Sequence, residues 1–87
     1  KRKTTTLAVA DQSLFDALRD CRKRIATESG VPPYVIFHDA TLMQMATEKP
    51  ASDSALLGIA GVGQTKLQRY GAKFLRVIEQ VSGSAEP

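Results

Sequence analysis

Proline and glycine limit how this chain can fold more than any other residues in it. They stand at Gly30, Pro32, Pro33 and Pro50, at Gly58, Gly61 and Gly63, and at Gly71, and the stretches between them are helix-sized. The spacing predicts five helices and no strands, an all-α fold. With 87 residues there is material for one domain and one modest core, with little room for a buried catalytic cleft as well. Hydrophobic residues make up 43% of the chain and charged residues 24%, a globular composition rather than that of a disordered tail.

The first helix is predicted from about Asp11 to Ser29, where Leu14, Leu18, Cys21 and Ile25 recur as one apolar stripe at helical period. Ser13 with Asp16 three residues on offers a capping box, and Asp11 is a rival N-cap. Gly30 suits the left-handed end of that helix and Pro32 blocks its resumption. VPPYVIF, residues 31 to 37, then reads as an extended apolar strap with Val35 and Phe37 in the core, because a proline disfavours the α region in the residue before it. Asp39 is the expected N-cap of a second helix, DATLMQMATEK, with Leu42, Met45 and Ala46 on one face until Pro50 stops it. Ser52 or Asp53 opens a short third helix carrying Leu56 and Leu57, closed by Gly58. Leu67 and Tyr70 suit a fourth from Gly63 to Gly71, and Phe74, Leu75, Ile78 and Val81 a fifth. Residues 1–10 read as a basic linker, 11–81 as the domain and 82–87 as a flexible tail. Because it begins at Lys1 and trails off in SGSAEP, the chain reads as part of a longer protein, with an auxiliary role.

GIAGVGQTKLQRYG, residues 58 to 71, is the motif closest to a phosphate site. It is not a P-loop, since the GxxxxGK[ST] spacing is missing and no strand feeds it. A dinucleotide fingerprint starting at Gly61 would need glycine where Lys66 stands. What it matches is the turn of a helix-hairpin-helix, with Ile59 and Val62 pinning the turn to the core. Gly61 and Gly63 would let backbone N–H groups approach a phosphate at the start of the next helix, and Lys66 would add a point charge. A bare interhelical turn is the competing reading.

Charge placement separates the candidate partners. The net charge of +3 is matched by Lys1, Arg2 and Lys3 alone, so the domain proper is nearly balanced. From Ser54 through Ile78, however, there is no Asp or Glu, while Lys66, Arg69, Lys73 and Arg76 all fall there. Arg19, Arg22, Lys23 and Arg24 cluster on the first helix, diluted by Asp16, Asp20 and Glu28. Such runs are either solvated faces or contacts to nucleic-acid phosphates, which weaken as salt rises. Tyr34, held on a proline-stiffened segment, is a candidate stacking platform for a base. Its alternative is a ring packed on the core with its hydroxyl wet.

Catalytic and metal chemistry are not expected. The single cysteine, Cys21, allows no intrachain disulfide, and a four-ligand zinc site would need at least three other ligands beside the lone His38. No paired carboxylates suggest acid–base work. Met43 and Met45 read as core filler. His38 is assigned no role. The basic start KRKTTTLAVA has too short an apolar run for a signal peptide, and no run is long enough to span a membrane. A cytoplasmic or nucleoid setting is expected.

LFDALRDCRKRIATESGVPPYVIFHDATLMQMA followed by LLGIAGVGQTKLQRYGAKFLRVI resembles the HRDC domain, the helicase and RNase D C-terminal module, and VPPYVIFHDATL favours the bacterial RecQ branch. The resemblance implies a compact five-helix bundle and an accessory role in an ATP-dependent 3'-5' DNA helicase of repair and recombination. It implies weak, sequence-independent binding of single-stranded or branched DNA. ATP, magnesium and zinc sites would lie elsewhere in the parent, with no cofactor in this domain. The tyrosine of VPPY is a DNA-contacting position in relatives, which makes Tyr34 the first candidate. Lys66 matches a basic position of the family, and Arg69, Lys73, Arg22 and Lys23 would complete a phosphate surface around it. A monomer is expected. Some members serve protein contacts or docking on the helicase core, which is the rival role.

Overall fold

The computed structural model describes residues 9–83, all helices and connecting turns with no strand among them. Helix α1 spans Val9–Ser29, α2 Pro33–Ile36, α3 Asp39–Glu48 and α4 Asp53–Leu57. The last, α5, begins at Gln64–Lys66 and runs without a break through Leu67–Gly71, Ala72–Ile78 and Glu79–Gly83. Five helices are therefore present as expected, but two of them are distributed differently along the chain.

α1 starts two residues before the predicted point, so Asp11 lies in its first turn rather than capping it, and Ser13 is not a cap. The predicted linker 1–10 thus contributes Val9 and Ala10 to α1, and its residues 1–8 lie outside the described part, as do 84–87 of the predicted tail. Leu14, Leu18, Cys21 and Ile25 are all buried, as their period demands. Gly30 closes α1 in the left-handed region (φ 72°), and the next N–H, of Val31, bonds back to the Ala26 carbonyl at 3.0 Å.

The strap after α1 is helical where an extended segment was expected. Pro32 is extended (φ −64°, ψ 150°), as the residue before a proline should be, but Pro33 itself takes the first helical position, where no N–H is needed. The single turn it starts exchanges Val35 for Ile36 on the inner side and leaves Phe37 where it was expected. Ile36 and Phe37 are buried, whereas Val35, predicted inside, is 41% exposed. α3 begins after His38, which occupies the cap position in place of Asp39 and makes no side-chain capping bond. Leu42, Met45 and Ala46 are buried as predicted, while Met43 is only half-buried. Lys49 ends α3 in the left-handed region (φ 50°) and its ammonium pairs with Asp11 at the start of α1, tying the two helices. Ser52 resolves the choice of cap for α4: its Oγ accepts from the Ala55 N–H at 3.2 Å.

The predicted break at Gly71 is absent. Gly71 is helical (φ −53°, ψ −45°) and buried, and a Cβ there would lie 2.7 Å from Leu67 Cδ1 and 3.5 Å from Leu56 Cδ2. The glycine makes room for the Leu67 side chain of its own helix, with Leu56 of α4 at ordinary contact distance, and does not end a helix. Leu67–Gly71 forms a wide π-type turn within α5, which then delivers Phe74 and Ile78 to the core.

α1 packs on α2, α3 and α5. At the centre the Phe37 ring meets Phe74 edge-on at 5.0 Å between centroids and Tyr70 at 6.3 Å. The Phe37 carbonyl accepts a 2.9 Å hydrogen bond from Arg22 Nη1, and the same nitrogen lies 2.7 Å from Asp39 Oδ1. Arg22 thus fastens α1 to the junction between α2 and α3. Replacing it with methionine keeps the stem's packing but orphans a buried carbonyl, so unfolding in urea should show a loss of about 1–3 kcal/mol. Asp39→Asn should cost less, because Asp39 is 69% exposed and water replaces the guanidinium.

The α4–α5 turn rests on Gly61. Its φ is +94°, and a Cβ would fall 2.4 Å from Thr41 Oγ1, which donates to the Ala60 carbonyl at 3.1 Å. Gly63 has φ −97° and no atom within 4 Å of where its Cβ would be. Gly61→Ala should therefore destabilise the domain by roughly 1–3 kcal/mol, while Gly63→Ala should stay within about 0.5 kcal/mol of the parent. Equal urea midpoints for the two variants would contradict this assignment of their roles.

Candidate nucleic-acid interface

Tyr34 projects from the single turn of α2 with 61% of its surface exposed. The packed-tyrosine alternative is thereby removed: Ile36 and Phe37 fill the core positions, and the helical turn leaves Tyr34 and Val35 on the outer side. His38 follows at the mouth of α3, with its ring 6.3 Å from that of Tyr34 and inclined to it by 21°. Lys66, one turn into α5, places its ammonium 5.8 Å from the centroid of the Phe37 ring. Phe37 therefore connects the two leading candidates, since it ends the turn that carries Tyr34 and supports Lys66 from below.

The exposed backbone of Gly61 and Gly63 leads directly into α5, where Gly63 occupies the cap position without a side-chain hydrogen bond. The first N–H groups of α5 and its positive dipole end thus lie one turn from Lys66. Arg69 and Lys73 are exposed further along the helix.

The remaining cations are distributed differently from the single surface expected. Arg22 is 8% exposed and held by Phe37 and Asp39, so its guanidinium is engaged as a tie within the fold rather than standing free on the surface. Lys23 borders a shallow recess with Pro33, Arg19, Arg22, Asp16 and Asp20, where two carboxylates offset part of the positive charge. Lys73 lies across the α1–α5 seam with Arg24 and Arg76, and with Glu28 they line a groove of about 510 Å³ that Cys21, Ile25 and Val77 also border. Burial pushes the Cys21 thiol up from its ordinary range, against the opposing influence of Arg24 and Lys73. Arg24 and Arg76 belong to that basic seam although neither stands among the leading candidates from sequence. Their pairing needed the packing of α1 on α5, which no spacing within either helix records.

His38 is the other residue that sequence reasoning passed over. Its only signal is its position four residues after Tyr34, on a segment whose conformation the prolines made hard to assign. Among the described residues no cluster of three or more His, Cys, Asp or Glu could hold a metal ion, and no helix is long and apolar enough to cross a membrane.

Comparison with known proteins places this arrangement. The HRDC domain model matches residues 11–78. The ATP-dependent DNA helicase RecQ of Bacillus subtilis is 48% identical over 69 residues, covering 79% of this chain and 12% of that protein. RecQ of Haemophilus influenzae is 46% identical over 70 residues, covering 80% and 11%. The chain thus spans only about an eighth of the length of these curated relatives. Among solved structures, the D. radiodurans RecQ HRDC domain 3 superposes with a TM-score of 0.79 at 31% identity, covering 82% of this chain and 93% of that one. A helical core closed around Phe37, an outward tyrosine on the turn before it and a glycine hairpin leading to Lys66 are, with these matches, what assigns the chain to the HRDC domain family.

Proposed function

We propose that this domain is the accessory nucleic-acid-binding module of a RecQ-like ATP-dependent DNA helicase. It binds single-stranded or branched DNA weakly and without sequence preference, and so biases which structures the motor engages in repair and recombination. The observation that carries the reading is Tyr34: a large aromatic ring, 61% exposed, on a turn stiffened by Pro32 and Pro33 and linked through Phe37 to Lys66. Every base has a π-face, so an exposed ring binds bases without reading their edges. Lys66 and the open hairpin at Gly63 supply the backbone contact, and Arg69 extends the positive path along α5. ATP, magnesium and zinc belong to other parts of the parent helicase in this reading, and the domain acts as a monomer in the bacterial cytoplasm, at the nucleoid.

With so few phosphate contacts, affinity falls in the range of roughly 10⁻⁴ to 10⁻⁶ M at physiological salt. The test is fluorescence anisotropy of labelled single-stranded and forked DNA at several salt concentrations. Tyr34→Ala should lose about 1–3 kcal/mol with little dependence on salt. Lys66→Ala should flatten the slope of log affinity against log salt by about 0.7 on single strands, the share of one phosphate. If neither variant weakens binding, or the parent shows none at low salt, the DNA role fails and docking on the helicase core takes its place.

A further inference from the structure

Cations from two helices line the α1–α5 groove, and the fold does not use their charge. Arg24 stands on α1, Lys73 and Arg76 stand on α5, and all three are exposed. Among the described residues the ion pairs are those of Arg22 with Asp39 and of Lys49 with Asp11. Arg24, Lys73 and Arg76 make none, although Glu28 lines the same groove. Arg24 and Lys73 both act on the Cys21 thiol, so their fields converge on one border of the groove. Like charges gathered in this way repel one another, and an anionic ligand relieves that repulsion.

The rest of the lining decides which anion fits. Cys21, Ile25 and Val77 give the groove an apolar border, and its volume of about 510 Å³ falls within the roughly 300–1,000 Å³ of ligand clefts. No aromatic ring lines it, so a single strand would find no stacking platform there. Glu28 opposes an unbroken row of phosphates. An acidic peptide meets each of these conditions. Its carboxylates are spaced, and they suit the guanidinium forks of Arg24 and Arg76. An aliphatic side chain covers the apolar border, and the Glu28 carboxylate and Gln80 amide oxygen accept main-chain N–H groups.

We propose that the α1–α5 groove docks an acidic segment of another protein, with one apolar side chain against Cys21, Ile25 and Val77 and carboxylates on Arg24, Lys73 and Arg76. This goes beyond the DNA reading and does not depend on it. Arg19 and Lys23 share their recess with Pro33 on the other flank of α1, so the docked segment leaves the approach to Tyr34 open.

The experiment titrates the 87-residue chain into a fluorescein-labelled peptide of aspartates and glutamates around a single leucine, followed by anisotropy. Saturable binding should appear at low salt and weaken toward physiological ionic strength, where the screening length is about 8 Å. Arg24→Gln, Lys73→Gln and Arg76→Gln should each weaken it roughly two- to fivefold, and the triple variant more than about tenfold. A peptide with serine in place of leucine should bind at least about fivefold more weakly, because its apolar contact is gone. Arg19→Gln removes one charge from the other flank of α1 and should change binding by less than about twofold. Equal binding of the serine peptide, or an equal loss with Arg19→Gln, would mean attraction to net charge alone and overturns the docking site. A single-stranded oligonucleotide of equal charge that displaces the peptide and loses as much affinity in the triple variant makes the groove a nucleic-acid track, which also overturns it. So does a dimer in light scattering that the triple variant dissolves, since the occupant is then a second copy. If the peptide does not bind while DNA does, this proposal falls and the DNA reading stands; the reverse result removes only the DNA reading. Unchanged thermal melts show that the variants fold, and the serine peptide tests the apolar seat on an unaltered protein.

Discussion

Phe37 is held at both its ends, and the rest of the molecule is arranged about that fact. Its ring is inserted edge-on against Phe74 and Tyr70 of α5, and its carbonyl is tied to α1 by Arg22. A buried carbonyl without a donor is costly, and a buried guanidinium without an acceptor more so. Arg22 Nη1 and the Phe37 carbonyl partner each other at the point where α2 passes into α3, while Arg22 Nε stays buried without a partner. Once Phe37 is fixed, the single turn before it has one orientation: Ile36 goes inward and Tyr34 outward. The same ring underlies Lys66. One core residue therefore sets the positions of an exposed aromatic ring and a lysine on the surface.

That dependence also explains why a basic residue can belong to the charge count without belonging to the interface. Arg22 contributes to the cation cluster of α1, yet its charge is directed at Phe37 and Asp39. Lys73 contributes to the acid-free stretch of α5, yet it borders the α1–α5 seam with Arg24 and Arg76. Steering of a polyanion by the summed field is indifferent to such details, whereas contact is not. The domain consequently separates the exposed region around Tyr34 and Lys66 from a seam of cations shaped by helix packing.

Much of the fold could be read from residue order because it rests on local rules. The α1 stripe, Gly30 as its stop, the face of α3 and the Ser52 cap follow from helical period and from which backbone groups lack partners. The misreadings share one cause. Gly71 and Pro33 carry opposite local signals, break and extension, and in each case packing decided. Gly71 is buried where the Leu67 side chain folds over it and Leu56 of α4 packs alongside, and a helix tolerates glycine when packing repays its entropy. Pro33 starts a turn because Ile36 and Phe37 have core positions to fill.

The candidate site divides along the same line. Residue types and spacing alone identified an all-α domain, a hairpin at Gly61 and Gly63, an acid-free stretch carrying Lys66, and Tyr34 on a stiffened segment, because composition, φ preference and charge are properties of residues and their neighbours in the chain. Only the tertiary structure decided that Tyr34 faces outward with His38 beside it, that Arg22 is a buried tie, and that Lys73 joins Arg24 across a seam. Those outcomes depend on which side of each helix the shared core claims, and that is settled by the helices together and by none of them alone.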